Sequence, residues 1–323
     1  WTPPAGEEGK EREVSATRAL PDNASLPITL EYVQGDGPLN VTVDWTTPAP
    51  DSGVAEAVAK AQTADVIVFV GGISAQLEGE EMRVDYEGFS GGDRLAIELP
   101  PLQQQLLQKL QATGKPLVFV NLSGSAVAMP WVDAHAAAVV QAWYPGQAGG
   151  TAVADVLLGK YNPAGRLPVT FYRATADLPD FKDYNMAGRT YRYFNGKPLY
   201  PFGHGLSFTK FTYARLHAAP VVTGGLAVTV DVTNSGGRDG DEVVQLYATP
   251  PASSHPREHR ALCGFARVHL KAGETQTVKL AVPVSALRRW SDEKKDYTIP
   301  AGDWTLGAGA SSADIRQSTA IKL

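Results

Sequence analysis

Three short runs constrain this chain more than any other feature: "DVIVFVGG" (65–72), "KPLVFVNLSG" (115–124) and "AAAVVQAWYPG" (136–146). Each is apolar, rich in β-branched residues, and closed by glycine or serine, as a strand covered on both faces should be. Helical patterns separate them. "VAEAVAKAQTA" from Val54 is a short Ala-rich helix, and "LPPLQQQLLQKLQATG" sets Leu102, Leu106, Leu107 and Leu110 on one stripe before Gly114 ends it. "GGTAVADVLLG" (149–159) is a further helix of small residues. Strands alternating with helices predict a parallel sheet with helices on both faces, a three-layer α/β sandwich. Ligands of such sheets sit beyond the carboxyl ends of the strands, which singles out the segments after Val70, Val120 and Trp143.

The pattern changes after "PLYPFGHGLSFTKFTY" (198–213). Val228, Val230 and Val232 alternate, as do Val278, Leu280 and Val282, and "DWTLGAG" reads as a last strand. Turn clusters such as "NSGGRDGD" and "KAGET" divide these runs at the spacing of an immunoglobulin or fibronectin type III β-sandwich. At the start, "LPITLEYV" (26–33) and "LNVTVDW" (39–45) read as a hairpin joined by "QGDGP". Two strands bury too little to stand alone, so this segment is the end of a β-module or an arm packed on its neighbour.

With 43% hydrophobic and 20% charged residues, the 323-residue chain is globular and long enough for two domains. A net charge of −5 and the lack of a long basic run speak against nucleic acid or an anionic membrane as partner. A single cysteine, Cys263, excludes an intramolecular disulfide framework and a Cys-based metal site. No apolar run has the length of a membrane span. A start at "WTPPAGEEGK", without Met, suggests a processed or partial chain.

Several chemistries fail on motif grounds. Gly71-Gly72 is not a dinucleotide fingerprint, and no phosphate-binding P-loop pattern occurs. "NLSGSAV" puts Ser123 and Ser125 after a strand, but Leu122 stands where a nucleophile elbow needs glycine; a turn capping the next helix is the better reading. His255 and His259 have helix-like spacing in a Pro- and Arg-bearing loop, which is no metal site. What remains is "GGISAQLEGEEMRVDYEGF" (71–89), with Glu78, Glu80 and Glu81 just after the first strand. Glycoside hydrolysis needs one carboxylic acid to protonate the leaving oxygen and a second carboxylate as nucleophile or base. Crowded carboxylates are one route to such a proton-bearing acid. Taken alone, a charge-rich loop is more often merely solvated.

The order of motifs adds to this reading. "DVIVFVGGISAQLEGEEM", "GGDRLAIELP", "GKPLVFVNLSGSAV", "AWYPGQAGGTAVADVLLGKYNPAGRLPVTFY" and "RTYRYFNGKPLYPFGHGLSFTKFTY" together resemble the C-terminal half of glycoside hydrolase family 3, the β-glucosidase and β-xylosidase family. The resemblance runs from about Val54 to Leu323, and its "LEGEEM" and "GGDR" wording is nearest to bacterial xylosidase-like members. It implies an α/β sandwich domain over 51–205, a fibronectin type III-like domain over 206–323, and, in 1–50, the end of a protective-antigen-like β-sandwich insert.

It further implies a retaining exo-β-glycosidase acting on β-xylosides such as xylo-oligosaccharides, or else on β-glucosides, with no cofactor and no metal. In the family a barrel domain carries the Asp nucleophile, and the α/β sandwich lends the general acid/base. That residue corresponds here to Glu78, with Glu80 next and Glu81 third. No barrel is present, and the only Ser-Asp pair, Ser291-Asp292, lies in the terminal sandwich. Catalysis is therefore expected to need an N-terminal barrel domain or fragment, in a periplasmic or secreted protein, with a homodimer left open. A non-catalytic carbohydrate-binding or assembly module is the rival expectation. Around the loop, Trp143 and Tyr144 either stack on sugar or sit half-buried at a strand end. Arg94 and Asp93 either brace the loop by an ion pair or open a helix, and His204 reads as a packing or hydrogen-bonding residue.

Overall fold

The structure, a computed structural model, describes residue 29 and residues 50–84, 86–222, 224–252 and 258–323. But for residue 29, the expected hairpin at 26–33 and 39–45 lies outside the described residues, as does His255. Residues 54–323 form one compact unit.

Its first part alternates as the sequence predicts. Helix α1 (Pro50–Thr63) leads to strand β1 (Ile67–Gly72), then a small hairpin of β2 (Phe89–Ser90) and β3 (Asp93–Arg94). Helix α2 (Pro101–Gln111), β4 (Leu117–Leu122), α3 (Pro130–His135), β5 (Ala138–Gln141) and α4 (Gly149–Leu157) follow, with one turn of helix, α5 (Thr190–Tyr193), further on. Strands β1, β4 and β5 form a parallel sheet in the order β1-β4-β5, with Val70 beside Val120 and Val120 beside Val140. This register aligns the three carboxyl ends. On α2 the stripe is narrower than expected: Leu107 and Leu110 are buried but Leu102 is 68% exposed.

Strand β1 departs from the expectation of cover on both faces. Phe69 packs against the core while Val66, Val68 and Val70 are about half exposed, so burial alternates along the strand. Among the described residues β1 is the edge of its sheet, and an apolar run by itself cannot tell one covered face from two. "GGDR" is also not a helix start: Gly91 and Gly92 turn the β2–β3 hairpin.

The second part is all-β. Strands β6 (Phe211–Pro220), β7 (Leu226–Asn234), β8 (Gly240–Thr249), β9 (Ala261–Leu270) and β10 (Thr275–Val282) come first. A helical turn, α6 (Val284–Leu287), and a hairpin of β11 (Arg289–Ser291) and β12 (Asp296–Thr298) precede β13 (Asp303–Ser311) and β14 (Asp314–Lys322). Two antiparallel sheets, β10-β7-β6 and β14-β13-β8-β9, enclose Val230, Val232, Val244, Leu246, Trp304 and Leu306. "DWTLGAG" is thus not the last strand. β14 follows it as a sheet edge, and its charged outward positions suit an edge and mask the strand pattern.

A polar seam joins the two parts. Gln245 donates Nε2 to the carbonyls of Gly203 and Ala310, and Tyr247 donates its hydroxyl to Gln245 Oε1. Arg166, whose side chain is 8% exposed, pairs with buried Glu242 at 2.7 Å. Burial pushes the Glu242 carboxyl up against the pull of Arg166. His204 stacks flat on Tyr200, with ring centroids 5.3 Å apart.

Burial, and then Arg166, hold the His204 imidazole below its ordinary value of 6.5. Its depressed folded value makes the neutral form the stabilising one, present above pH 6.5 and lost as pH falls through the lowered value. The melting temperature of the natural chain should therefore fall relative to His204→Gln as pH drops below 6.5, with no divergence between pH 7.5 and 8.5. A difference constant across that range would contradict this.

Candidate functional site

The site forms where the three aligned strands end. After β1 the chain must turn sharply at Gly72, whose φ is +123° and where a Cβ would lie 2.1 Å from the Leu122 carbonyl oxygen. Only glycine fits so close an approach. Gln103 of α2 clamps this end, accepting from Gly72 N–H at 2.7 Å and donating to Gly72 O at 2.6 Å. The loop beyond carries Glu78. The β2–β3 turn presses on its backbone, since a Cβ on Gly92 would lie 1.6 Å from Gly79 O.

Glu78 is half-buried, and both its carboxylate oxygens accept hydrogen bonds from distant hydroxyls. Ser125 Oγ, from the loop after β4, donates to Oε1 at 2.5 Å, and Tyr144 Oη, from the loop after β5, donates to Oε2 at 2.6 Å. Arg94 completes the set by donating Nη1 to Ser125 Oγ and to Ala126 O, both at 2.8 Å. Its Nη2, buried, has no hydrogen-bond partner among the described residues. Burial draws the guanidinium down, opposed by the charges of Glu78 and Glu98. Burial, and then the bond to Glu78, raise the Tyr144 phenol to about 12, so it remains a donor at neutral pH.

Glu80 and Glu81 are exposed, and no hydrogen bond or ion pair from a described residue holds either carboxylate. The structure thus separates the cluster into one anchored carboxylate and two solvated ones. Ser125 does not cap a helix as expected, because α3 starts at Pro130 without a side-chain cap. It is the relay between Arg94 and Glu78. Ser123 is buried and bonded to Asn121 and Gln141. Arg94 does brace the loop, yet through a hydroxyl rather than by an ion pair.

Trp143 is half-buried and meets Phe171 edge-on at 6.2 Å, whereas Tyr144 is 41% exposed. Trp143 sits at φ +58°, so the turn at the strand end points the two neighbouring aromatics to different environments. The signal that could have found Ser125 and Tyr144 was their place after parallel strands. The sequence alone showed no bond to Glu78. Among the described residues no group of three His, Cys, Asp or Glu side chains is placed to hold a metal ion, and no helix is long and apolar enough to cross a membrane.

Comparison with known proteins agrees with this layout. Residues 7–208 match the model of the glycosyl hydrolase family 3 C-terminal domain, and residues 242–312 match a fibronectin type III-like domain. The chain is 45% identical over 260 residues to a xylan 1,4-beta-xylosidase of Xylanibacter ruminicola, covering 80% of this chain and 30% of that one. It is 37% identical to a periplasmic beta-glucosidase of Salmonella typhimurium, covering 84% of this chain and 36% of that protein. Among solved structures, a beta-glucosidase from Streptomyces venezuelae in complex with D-glucose is 36% identical with a TM-score of 0.74, over 86% of this chain and 36% of that one. This chain therefore spans about a third of the length of the curated relatives it matches. By the extent of the domain match, it belongs to glycosyl hydrolase family 3, as that family's C-terminal domain followed by a fibronectin type III-like domain.

Proposed function

We propose that this chain supplies the general acid/base of a retaining exo-β-glycosidase that hydrolyses β-xylosides, and that Glu78 is the residue. The observation that carries the reading is the anchoring of Glu78 alone, among the clustered glutamates, beyond the aligned strand ends. Glu78 protonates the glycosidic oxygen as the aglycone leaves and an Asp of a barrel domain attacks the anomeric carbon. The resulting carboxylate then takes a proton from water, which releases the sugar. Ser125 and Tyr144 orient the carboxyl, and Arg94 holds Ser125.

In this reading residues 51–205 present the acid/base loop, 206–323 form the fibronectin type III-like body, and 1–50 close a β-sandwich insert. The nucleophile comes from a barrel outside residues 1–323, and the protein works in the periplasm or outside the cell. The 45% identical relative named a xylosidase supports xylosides, and the relatives named β-glucosidases support glucosides as the runner-up. The test is kcat/KM of the full-length protein on aryl β-D-xyloside against aryl β-D-glucoside. Preference for the xyloside is expected, and a reversed preference replaces it with the glucoside.

A second reading, a non-catalytic carbohydrate-binding module, has one observation in its favour. Trp290 and Tyr297, paired edge to face at 5.4 Å on the β11–β12 hairpin, are 46% and 57% exposed. It requires xylo-oligosaccharide binding by residues 1–323 alone and unchanged hydrolysis by the full-length protein after Glu78→Ala.

A further inference from the structure

A cavity of about 430 Å³ opens at the seam between the α/β part and the sandwich, away from the Glu78 loop. Its volume falls in the range of small-molecule sites, about 300–1,000 Å³. Arg166, Lys210 and Arg316 line it against two carboxylates, Glu242 and Asp314. With His204 neutral, that leaves one formal positive charge without a counterpart.

Two of the three cations already have a carboxylate partner, Arg166 in Glu242 and Arg316 in Asp314, so the surplus charge rests on Lys210. Arg166 gives Nη2 to Glu242 and Nη1 to Gly165 O, but its buried Nε has no partner among the described residues. Arg316 is held rigidly by Asp314 and by Phe211 O at 2.7 Å, and stands over the Tyr213 ring. Lys210 is exposed, with no ion-pair partner among the described residues.

Hydroxyls complete the lining with both kinds of capacity left. Ser311 Oγ accepts from Ala313 N–H and Asp314 N–H, which leaves its own proton to donate. Ser207 donates to Asn162 while accepting from Thr209 N–H, and Ser235 donates to Lys210 O, which leaves each at least one lone pair that accepts. A surplus positive charge beside hydroxyls of both polarities matches a small monoanion with a hydroxylated body.

We infer that this seam cavity binds a sugar acid, its carboxylate held by Lys210 and Arg316 and its hydroxyls by Ser207, Ser235 and Ser311. Both parts of the chain contribute to the cavity, so occupancy ties the sandwich to the α/β part and raises the stability of the whole.

The probe is sodium glucuronate, titrated calorimetrically into the full chain, with glucose and sodium acetate as parallel arms. A saturable 1:1 heat and a melting temperature that climbs with glucuronate concentration are expected, with glucose inert and acetate far weaker. Lys210→Gln, an exposed change that leaves the fold intact, should weaken glucuronate about tenfold through loss of one charge-assisted bond. Arg166→Gln is the less useful variant, because it strands buried Glu242. No saturable heat, an equal response to glucose or acetate, or unchanged affinity in Lys210→Gln each overturns the assignment.

Discussion

Replacing Glu78 by alanine in the full-length protein should lower kcat by roughly 10²- to 10⁴-fold on substrates with poor leaving groups, the range lost when a positioned acid/base is removed. An activated aryl glycoside departs without protonation, so the first step survives and the glycosyl-enzyme accumulates. Azide, which attacks without giving up a proton, should then restore turnover and yield a glycosyl azide of retained configuration. Glu80→Ala should change kcat by no more than about twofold, since its carboxylate is exposed and unanchored. Crippled Glu80→Ala beside active Glu78→Ala would transfer the role to Glu80.

The largest stability effect is expected at Glu258. Its side chain is fully buried, and two guanidinium groups converge on it. Arg192, from α5, donates Nε to Oε2 at 2.6 Å, and Arg289, from β11, pairs with Oε1 while lying over the Trp304 ring at 5.5 Å. This one carboxylate ties α5 of the α/β part to the sandwich core. Glu258→Gln removes the negative charge and leaves two cations facing each other, one of them only 17% exposed. Breaking such a pair costs about 3–5 kcal/mol. Urea unfolding should show that loss as a lower midpoint, while exposed Glu293→Gln stays within about 0.5 kcal/mol of the natural chain. A Glu258→Gln midpoint as close as that of Glu293→Gln would refute the account.

Local pattern and its failures explain how much could be read in advance. Strands β7 and β10 stand where alternating apolar residues put them, because burial on one side leaves a period in the sequence, and β4, buried on both sides, stands where a continuous apolar run puts it. β14 escaped because an edge strand carries charge on its free side, and the β2–β3 hairpin escaped because its strands are two residues long. Exposure of Val66, Val68 and Val70 was equally hidden, since whether a second layer covers a face depends on distant chain.

The sequence by itself determined the alternation of the parallel strands with helices, the change to an all-β half, the family, and the loop after the first strand as the place to look. Those features are written in neighbouring residues, through periodicity and motif order. Which of three adjacent glutamates is anchored was decided only by tertiary structure. The hydroxyls that select Glu78 come from Ser125 and Tyr144, 47 and 66 positions further on. They reach it because the parallel register of β1, β4 and β5 ends the three strands side by side, bringing three separate loops within hydrogen-bond distance.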